Sequence, residues 1–166
     1  MKKATDIVFT VLMVLIIIFA FLLVGMRLFG LTPYTVLSGS MEPEYMTGSL
    51  IYVRRAKAEE LTVGVPVTYK MESGIIVTHR IVEVIYDEDN PTSVKYRTKG
   101  DANDTSDSPI EASNVIGIPV FDIPFLGYIT HFVQNPPGIY IAIIAIALLI
   151  IFAFLPDVLF RDKNEN

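Results

Sequence analysis

Two long apolar segments lie near the ends of the chain, and segments of mixed polarity lie between them. Residues 7–26 carry no charge; as a helix, a run of about 20 residues can cross a hydrocarbon core of about 30 Å. Residues 139–155 form a second run of about 17 residues, which is near the lower limit for a span. Both runs are apolar on every face, unlike an amphipathic surface helix. We therefore predict two transmembrane helices.

Each apolar run also has an alternative interpretation. The first could be a cleaved signal peptide, although its apolar core is longer than is usual there and no small-x-small cleavage pattern follows it. The second could be the buried helix of a soluble core. However, Pro136, Pro137 and Gly138 before it and Pro156 after it set it apart as a separate unit.

The charges beside the two runs predict their orientation, because basic residues accumulate on the cytoplasmic side of a membrane. Lys2 and Lys3 precede the first run, Arg161 and Lys163 follow the second, and Arg27 argues weakly in the opposite direction. We predict four parts: a cytoplasmic N-terminus with the first anchor (1–30), an extracytoplasmic catalytic domain (31–135), a second transmembrane helix (136–156) and a cytoplasmic tail (157–166). Two spans on so short a chain favour a multi-pass protein of a prokaryotic plasma membrane.

The middle of the chain has the pattern of β-strands. Its apolar segments are rich in β-branched and aromatic residues, and turn signals separate them, including one at 87–91. The predicted strands lie within 49–55, 65–71, 75–87 and 93–100, and residues 115–133 add one or two more. The second and third segments are predicted to form a hairpin. With no further helix expected, the predicted fold class is mainly β: a small antiparallel or coiled β domain flanked by two transmembrane helices.

Composition and charge narrow the function classes. Of the 166 residues, 52% are hydrophobic, and the excess is concentrated in the two terminal runs. Cysteine is absent, so no disulfide can form. The formal net charge is −5 and no basic stripe is present, which argues against a nucleic-acid partner.

Three short segments carry candidate chemistry: a serine turn at 38–40, a strand segment at 78–80 and an acidic loop at 98–107. Taken singly, each has a plain interpretation: a solvated turn, a packed core histidine, and a polar loop or loose cation site. The acidic loop lacks the terminal bidentate Glu of a tight calcium site. Together the segments supply a hydroxyl nucleophile, a base and a carboxylate, the three groups of a serine hydrolase.

Histidine 79 is the better of two candidate bases. Strand alternation places its side chain on one face with Val77 and Ile81, where burial favours the neutral imidazole that a general base needs. The other histidine, His131, lies close to the second apolar run and is predicted to be an interfacial or packing residue. Lys70 and Lys99 remain open as bases of an alternative Ser–Lys protease.

The motifs "SGSMEP", "TGSLIYVRR", "THRI" and "TKGDAND…D" resemble, in order and spacing, those of the type I signal peptidases. The histidine in "THRI" is similar to the endoplasmic-reticulum-type branch, which also occurs in archaea and some Gram-positive bacteria. The resemblance covers nearly all of the predicted extracytoplasmic segment. One departure is Ala102, where the family usually has an Asn-like residue.

The resemblance implies a role for each residue. Ser40 would be the nucleophile and His79 the general base. Asp107 matches the acid of the triad, with Asp101 as a supporting or structural carboxylate, although the sequence alone leaves the choice between these two open.

Two neighbours of the nucleophile also receive roles from the resemblance. Ser38 would assist the oxyanion hole through its hydroxyl, and Gly39 would allow a close approach of the backbone.

The implied function is removal of signal peptides from exported preproteins at the outer membrane surface, with no metal or cofactor. Preproteins with small residues one and three positions before the cut, the lipid bilayer and the export machinery are the implied partners. A non-catalytic, membrane-anchored β domain that serves as a scaffold or assembly factor is the alternative from another class.

Overall fold

The computed structural model describes residues 2–86 and 93–161. The predicted turn at 87–91 and positions 162–166 of the predicted tail lie outside these ranges. The chain divides into two units, with the boundary between Gly127 and Tyr128. The first unit contains the sheet, and the second contains helical chain.

Seven strands form one antiparallel sheet in the order β1-β2-β7-β3-β4-β5-β6. The strands are β1 (Leu31–Thr35), β2 (Leu50–Arg54), β3 (Pro66–Lys70), β4 (Ile76–Tyr86), β5 (Val94–Lys99), β6 (Ile110–Glu111) and β7 (Val115–Ile123). The register shifts in three of the strand pairs, and such bulges bend strands and increase their twist. The result is a curled, mainly β unit, as the sequence pattern predicted.

The hairpin predicted from the sequence is confirmed. Strands β3 and β4 pair antiparallel, with Val67 opposite His79 and Lys70 opposite Ile76. Gly74, in the turn between them, has a φ of 87°, a backbone conformation that glycine adopts without steric cost. The longest strand, β4, therefore has its register set locally.

Two hydrophobic clusters form the core of the sheet unit. One joins β3, β4 and β5 and consists of Leu61, Val67, Tyr69, Ile81 and Tyr96. The other consists of Met41, Tyr45, Ile51 and Val53, so its first two members come from the segment that follows the serine turn. Met41 is only 2% exposed, which anchors the turn to β2.

The helices are α1 (Lys2–Leu23), α2 (Leu126–Gln134) and α3 (Gly138–Arg161). The first apolar run leaves the α-helix at Leu23 and continues as a 3₁₀ turn, Gly25–Phe29, which ends at Gly30 with a φ of 75°. Within the first unit, the Tyr52 hydroxyl of β2 donates to the Leu22 carbonyl at 2.9 Å. The end of α1 is thereby attached to the sheet.

The prediction that no helix lies outside the two apolar runs was wrong. Helix α2 has nine residues and begins inside the segment 115–133. Its aromatic and β-branched residues favour a strand. However, the less exposed positions Leu126, Thr130 and Val133 are spaced by four and three, the period of a helix. Only β7 was correctly expected in this segment.

No single helix within the described part of the chain is both long and apolar enough to span a membrane. The apolar part of α1, Ile7–Leu23, is short of that length. Helix α2 and the segment Gly138–Leu149 of α3 meet the criteria of length and composition only when they are taken together, and the chain bends by 89° between them.

Candidate active site

The serine turn lies between β1 and β2, where Gly39–Met41 forms a 3₁₀ turn. The carbonyl of Ser40 accepts a hydrogen bond from the Ala102 backbone N–H at 2.9 Å. A Cβ on Gly100 would lie 2.6 Å from that same carbonyl oxygen, so only glycine permits the loop after β5 to approach so closely. Because the donor at residue 102 is a backbone group, the Ala102 departure from the family pattern keeps this contact.

A second contact closes the turn from its other side. The Glu42 carboxylate accepts hydrogen bonds from the Thr47 hydroxyl at 2.8 Å and from its backbone N–H at 3.2 Å. These bonds hold the pKa of the Glu42 carboxyl below its ordinary value. The Ser40 turn is therefore held by Met41 in the core, by Ala102 and by the contact between Glu42 and Thr47.

Histidine 79 lies on β4 and is 7% exposed. Its neighbour on the same face, Ile81, is fully buried, as strand alternation predicted. The Tyr69 ring of β3 meets the imidazole edge-on, with ring centroids 6.4 Å apart. The imidazole is thus held in place by the core while both of its nitrogens stay available for hydrogen bonds.

The loop after β5 delivers a carboxylate to this imidazole. The Asp107 backbone N–H donates to the Thr98 carbonyl at 2.8 Å, which folds the loop back onto the end of β5. Asp107 Oδ2 then lies 2.6 Å from His79 Nδ1. This distance is slightly shorter than the usual range of about 2.7–2.9 Å for a charge-assisted N–H···O hydrogen bond.

Ser40 completes the arrangement at the other nitrogen of the ring, with its Oγ 3.0 Å from His79 Nε2. A carboxylate can only accept a hydrogen bond, so the imidazole carries a proton on Nδ1 to donate to Asp107. In the neutral ring Nε2 then accepts the proton of the Ser40 hydroxyl. Hydroxyl, imidazole and carboxylate form a continuous hydrogen-bonded chain that can transfer a proton away from Ser40.

Asp101 lies in the same loop but has a different partner. Both of its carboxylate oxygens accept from the Arg80 guanidinium, at 2.8 and 2.6 Å. Hydrogen bonds from Arg80 hold the pKa of the Asp101 carboxyl below its ordinary value. Arg80 also donates to the Gly64 carbonyl at 2.8 Å. Asp101 therefore joins the loop to β4, and Arg80 in turn joins β4 to the segment before β3.

The other predicted site residues lie beside the nucleophile. Ser38 Oγ is 3.2 Å from Ser40 Oγ, so the two hydroxyls are within hydrogen-bond distance. A Cβ on Gly39 would lie 3.2 Å from the Glu42 carboxylate, a tight contact. Gly39 therefore has a steric reason to lack a side chain.

Neither alternative base is among the hydrogen-bond partners described for Ser40 Oγ. Lys70 is exposed and ends β3, and Lys99 is at the end of β5. The hydrogen bonds described for Ser40 Oγ go to Ser38 and His79. His131 belongs to α2 in the second unit and is exposed there, which contradicts a role in packing within that unit.

Two residues near the carboxylate were not identified from the sequence. Thr98 Oγ1 lies 2.7 Å from Asp107 Oδ2, and the Tyr69 hydroxyl lies 3.3 Å from the same oxygen. Both residues look like ordinary strand residues, because threonine and tyrosine are common in sheets. Only the folding of the loop onto β5 reveals them.

Comparison with known proteins identifies the family. No family model matches the chain. However, the chain is 37% identical over 124 residues to signal peptidase I W of Bacillus subtilis (strain 168), which covers 69% of this chain and 64% of that relative. It is 33% identical over 126 residues to the signal peptidase complex catalytic subunit SEC11 of Verticillium alfalfae, covering 70% of this chain and 72% of the relative. The chain belongs to the type I signal peptidases.

A third relative supports the endoplasmic-reticulum-type branch of this family. The signal peptidase complex catalytic subunit SEC11C of Rattus norvegicus is 30% identical over 120 residues, or 67% of this chain and 62% of the relative. The matched region thus spans a little under two thirds of signal peptidase I W and of SEC11C. The resemblance seen in the short motifs of the type I signal peptidases extends over about two thirds of the present chain.

Proposed function

We propose that this protein is a membrane-bound serine endopeptidase that removes signal peptides from exported preproteins. The observation that carries the proposal is the hydrogen-bonded chain from Ser40 through His79 to Asp107 in a member of the signal peptidase family. The names of the relatives supply the substrate class, and the hydrogen bonds supply the chemistry.

In the proposed mechanism, Ser40 Oγ attacks the scissile carbonyl while His79 Nε2 accepts its proton. Asp107 holds the imidazole in the correct tautomer and stabilises the imidazolium that forms. The imidazolium then gives its proton to the leaving amine, and the acyl group stays on Ser40 as an ester. A water molecule, deprotonated by His79, hydrolyses this ester and regenerates the enzyme.

The negative charge that develops on the scissile oxygen needs donors that are already in position. We propose that the Ser40 backbone N–H and the Ser38 hydroxyl supply them, with Ser38 turning from Ser40 towards the oxyanion. A donor of this kind contributes about 2.7–4 kcal/mol to transition-state stabilisation. Gly39 leaves the space that the substrate backbone needs beside these groups.

The substrate segment is expected to bind extended, as an added strand, because main-chain hydrogen bonds then supply affinity and alternate side chains supply specificity. Family resemblance implies small residues, such as Ala-x-Ala, at the third and first positions before the cut. The proposed substrates are therefore preproteins with an apolar segment followed by small residues.

We further propose that the apolar runs at 7–26 and 139–155 anchor the protein in a prokaryotic plasma membrane. Residues 31–135 would lie outside, 136–156 would include the second span, and 1–30 and 157–166 would include the cytoplasmic ends. Association with the export machinery is part of this proposal. The bond from Tyr52 to Leu22 supports a sheet that lies close to the end of the first apolar helix.

The sequence distance from this anchor supports a site near the lipid. Ten extended residues reach at most about 33–36 Å, and Ser40 is ten residues after Gly30. A preprotein held by its own apolar segment would present its cleavage site at a similar height. Confinement of both partners to one membrane raises their effective concentration without any new contact.

The test is processing of a membrane-inserted preprotein by purified wild type, Ser40→Ala and His79→Ala. We expect each of these variants to lose cleavage by a factor on the order of 10⁶, because the nucleophile or its base is removed. His131→Ala is the matched control, since it removes the second histidine and should leave cleavage unchanged. Cleavage at the wild-type rate by Ser40→Ala would refute the mechanism, and absence of cleavage by purified wild type would favour the scaffold alternative.

The same assay separates the Ser–Lys alternative. If Lys70 or Lys99 were the base, His79→Ala would remain active and Lys70→Met or Lys99→Met would not. The hydrogen bond that the Ser40 hydroxyl donates to His79 Nε2 favours the opposite result.

A further inference from the structure

The carboxylate of Asp107 has more hydrogen-bond donors than the proposed mechanism uses. Its Oδ2 lies 2.6 Å from His79 Nδ1, 2.7 Å from Thr98 Oγ1 and 3.3 Å from the Tyr69 hydroxyl. Thr98 is fully buried and Tyr69 is 1% exposed. Three donors from three strands therefore meet at one oxygen atom.

The hydroxyl protons can be assigned by counting donors and acceptors. Thr98 has a single hydroxyl proton, and the shorter of its two contacts is to Asp107. The Tyr69 hydroxyl donates to Asp107 Oδ2 at 3.3 Å, and its oxygen lies within hydrogen-bond distance of Thr98 Oγ1, at 3.2 Å. Burial raises the pKa of Tyr69, so its hydroxyl stays protonated and remains a donor at neutral pH.

We propose that Thr98 and Tyr69 are positioning residues that set how strongly Asp107 stabilises a protonated His79. This inference rests on the proposed function. A hydrogen bond donated to the carboxylate stabilises its negative charge, and charge that is shared with two hydroxyls attracts the imidazolium less strongly. Thr98 and Tyr69 would thus keep His79 neutral, and able to act as a base, to lower pH than the bare carboxylate would allow.

The charged and titratable groups around His79 come from several elements of the fold. Asp107 and Asp101 come from the loop after β5, Tyr69 comes from β3, and Ser40 comes from the turn before β2. Asp101 and Arg80 are paired with each other, and Arg80 points to the opposite face of β4. The hydroxyl pair therefore acts on the one carboxylate that is hydrogen-bonded to the imidazole.

The hydroxyl of Thr98 can be removed without removing its backbone contact, because Thr98 contacts Asp107 separately through its side chain and its carbonyl. The backbone carbonyl of Thr98 accepts from the Asp107 N–H, and this bond survives Thr98→Val, which removes only the hydroxyl. Thr98→Ser keeps a donor at the same position. Tyr69→Phe removes the second hydroxyl and keeps the ring that packs against the imidazole.

A matched control exists on β3, the strand that also contains Tyr69. Thr68 is also fully buried, but its hydroxyl pairs with Thr78 at 2.8 Å, and neither contacts Asp107. Thr68→Val therefore imposes a comparable loss of a buried hydroxyl without changing the donors around the carboxylate. It reports the purely structural cost of such a change.

The experiment measures kcat and KM of the full chain with a peptide containing Ala-x-Ala, over a range of about pH 5 to 9. For Thr98→Val we expect the acid limb of kcat/KM to move to higher pH by about half a unit to one unit. At low pH kcat should fall about 3- to 10-fold with KM nearly unchanged. Tyr69→Phe should shift the limb in the same direction by less, because its hydroxyl is farther from Oδ2, and Thr98→Ser should restore the wild-type profile.

An acid limb that coincides for wild type, Thr68→Val, Thr98→Val and Tyr69→Phe would overturn the proposal. If Thr98→Val does not fold, Tyr69→Phe alone decides the outcome by the same shift. Failure of this proposal differs from failure of the proposed function. In the first case the acid limbs coincide while Ser40→Ala and His79→Ala are inactive, and in the second case those two variants keep their activity.

Discussion

Two aspartates of one loop, six positions apart, have different partners. Asp107 meets the imidazole of His79, whereas Asp101 meets the guanidinium of Arg80. His79 and Arg80 are consecutive residues of β4, and consecutive side chains of a strand point to opposite faces. The same loop therefore reaches both faces of one strand and delivers one carboxylate to each.

The comparison shows that the partner determines what a carboxylate can do. Arg80 is always charged, so Asp101 has a constant partner and can only hold the loop in place. An imidazole, unlike a guanidinium, can accept and return a proton in a reaction, so Asp107 can respond to a change of charge on His79. Two chemically identical side chains thus separate into a structural group and a proposed catalytic group.

The largest expected difference is in activity. Asp107→Asn should lower kcat by about 10⁴-fold, because an amide favours the wrong imidazole tautomer and does not stabilise the imidazolium. Asp101→Asn should lower kcat by about tenfold or less, because it acts only through the position of the loop. Rates of preprotein cleavage by the two variants, each compared with wild type, measure the difference. Equal losses would mean that the two carboxylates share one role.

A smaller effect is expected on stability. Asp101→Asn should lower the free energy of unfolding by about 1 kcal/mol, since it removes a two-pronged, partly buried ion pair. The pKa of Asp101 is lowered in the folded protein from an ordinary value of 3.8. Its contribution is therefore present above that value and is lost as the pH falls further.

Unfolding of wild type and Asp101→Asn by urea at several pH values tests this prediction. The difference between the two should be constant near neutral pH and should shrink below about pH 4. Arg80→Gln is the matched variant, and its effect should not add to that of Asp101→Asn because both break the same pair. A difference that grows on acidification would contradict the assignment.

The smallest effect is expected for a third carboxylate, which is paired with arginine away from the site. Glu60 accepts from Arg54 at 2.6 and 3.0 Å, and these bonds lower the pKa of Glu60 to about 2. The Arg54 and Glu60 side chains are 40% and 33% exposed, against 28% and 22% for Arg80 and Asp101, so water screens their contact more strongly. Glu60→Gln should therefore change the unfolding midpoint less than Asp101→Asn and leave cleavage unchanged. A larger shift than that of Asp101→Asn would show that pairing with arginine alone, without burial, sets the stability.

Local patterns explain the part of the fold that was predictable. The hairpin of β3 and β4 depends on neighbouring residues, a glycine turn and strand alternation, and all three are visible in the sequence. Helix α2 was missed because residue types and residue spacing disagree there. The types favour a strand, whereas the spacing of Leu126, Thr130 and Val133 is helical, and the segment follows the spacing.

The candidate site was predictable in its residue types but not in all its contacts. Ser40, His79 and the acidic loop could be selected because a serine hydrolase needs those groups, and the family motifs ranked Asp107 above Asp101. Nothing in the sequence pointed to Thr98 and Tyr69. Their hydroxyls matter only because the loop folds back on β5.

The sequence by itself determined the strand periodicity, and with it the separation of His79 and Arg80 onto opposite faces. It also determined the stock of chemical groups and the positions of the apolar runs, because these properties depend on residues close together in the chain. Only the tertiary structure decided which carboxylate meets which partner. Ser40 is 39 residues from His79, and Asp107 is 28 residues from it. Contacts over such separations depend on the pairing of the whole sheet, where a shift of one residue would exchange the two faces.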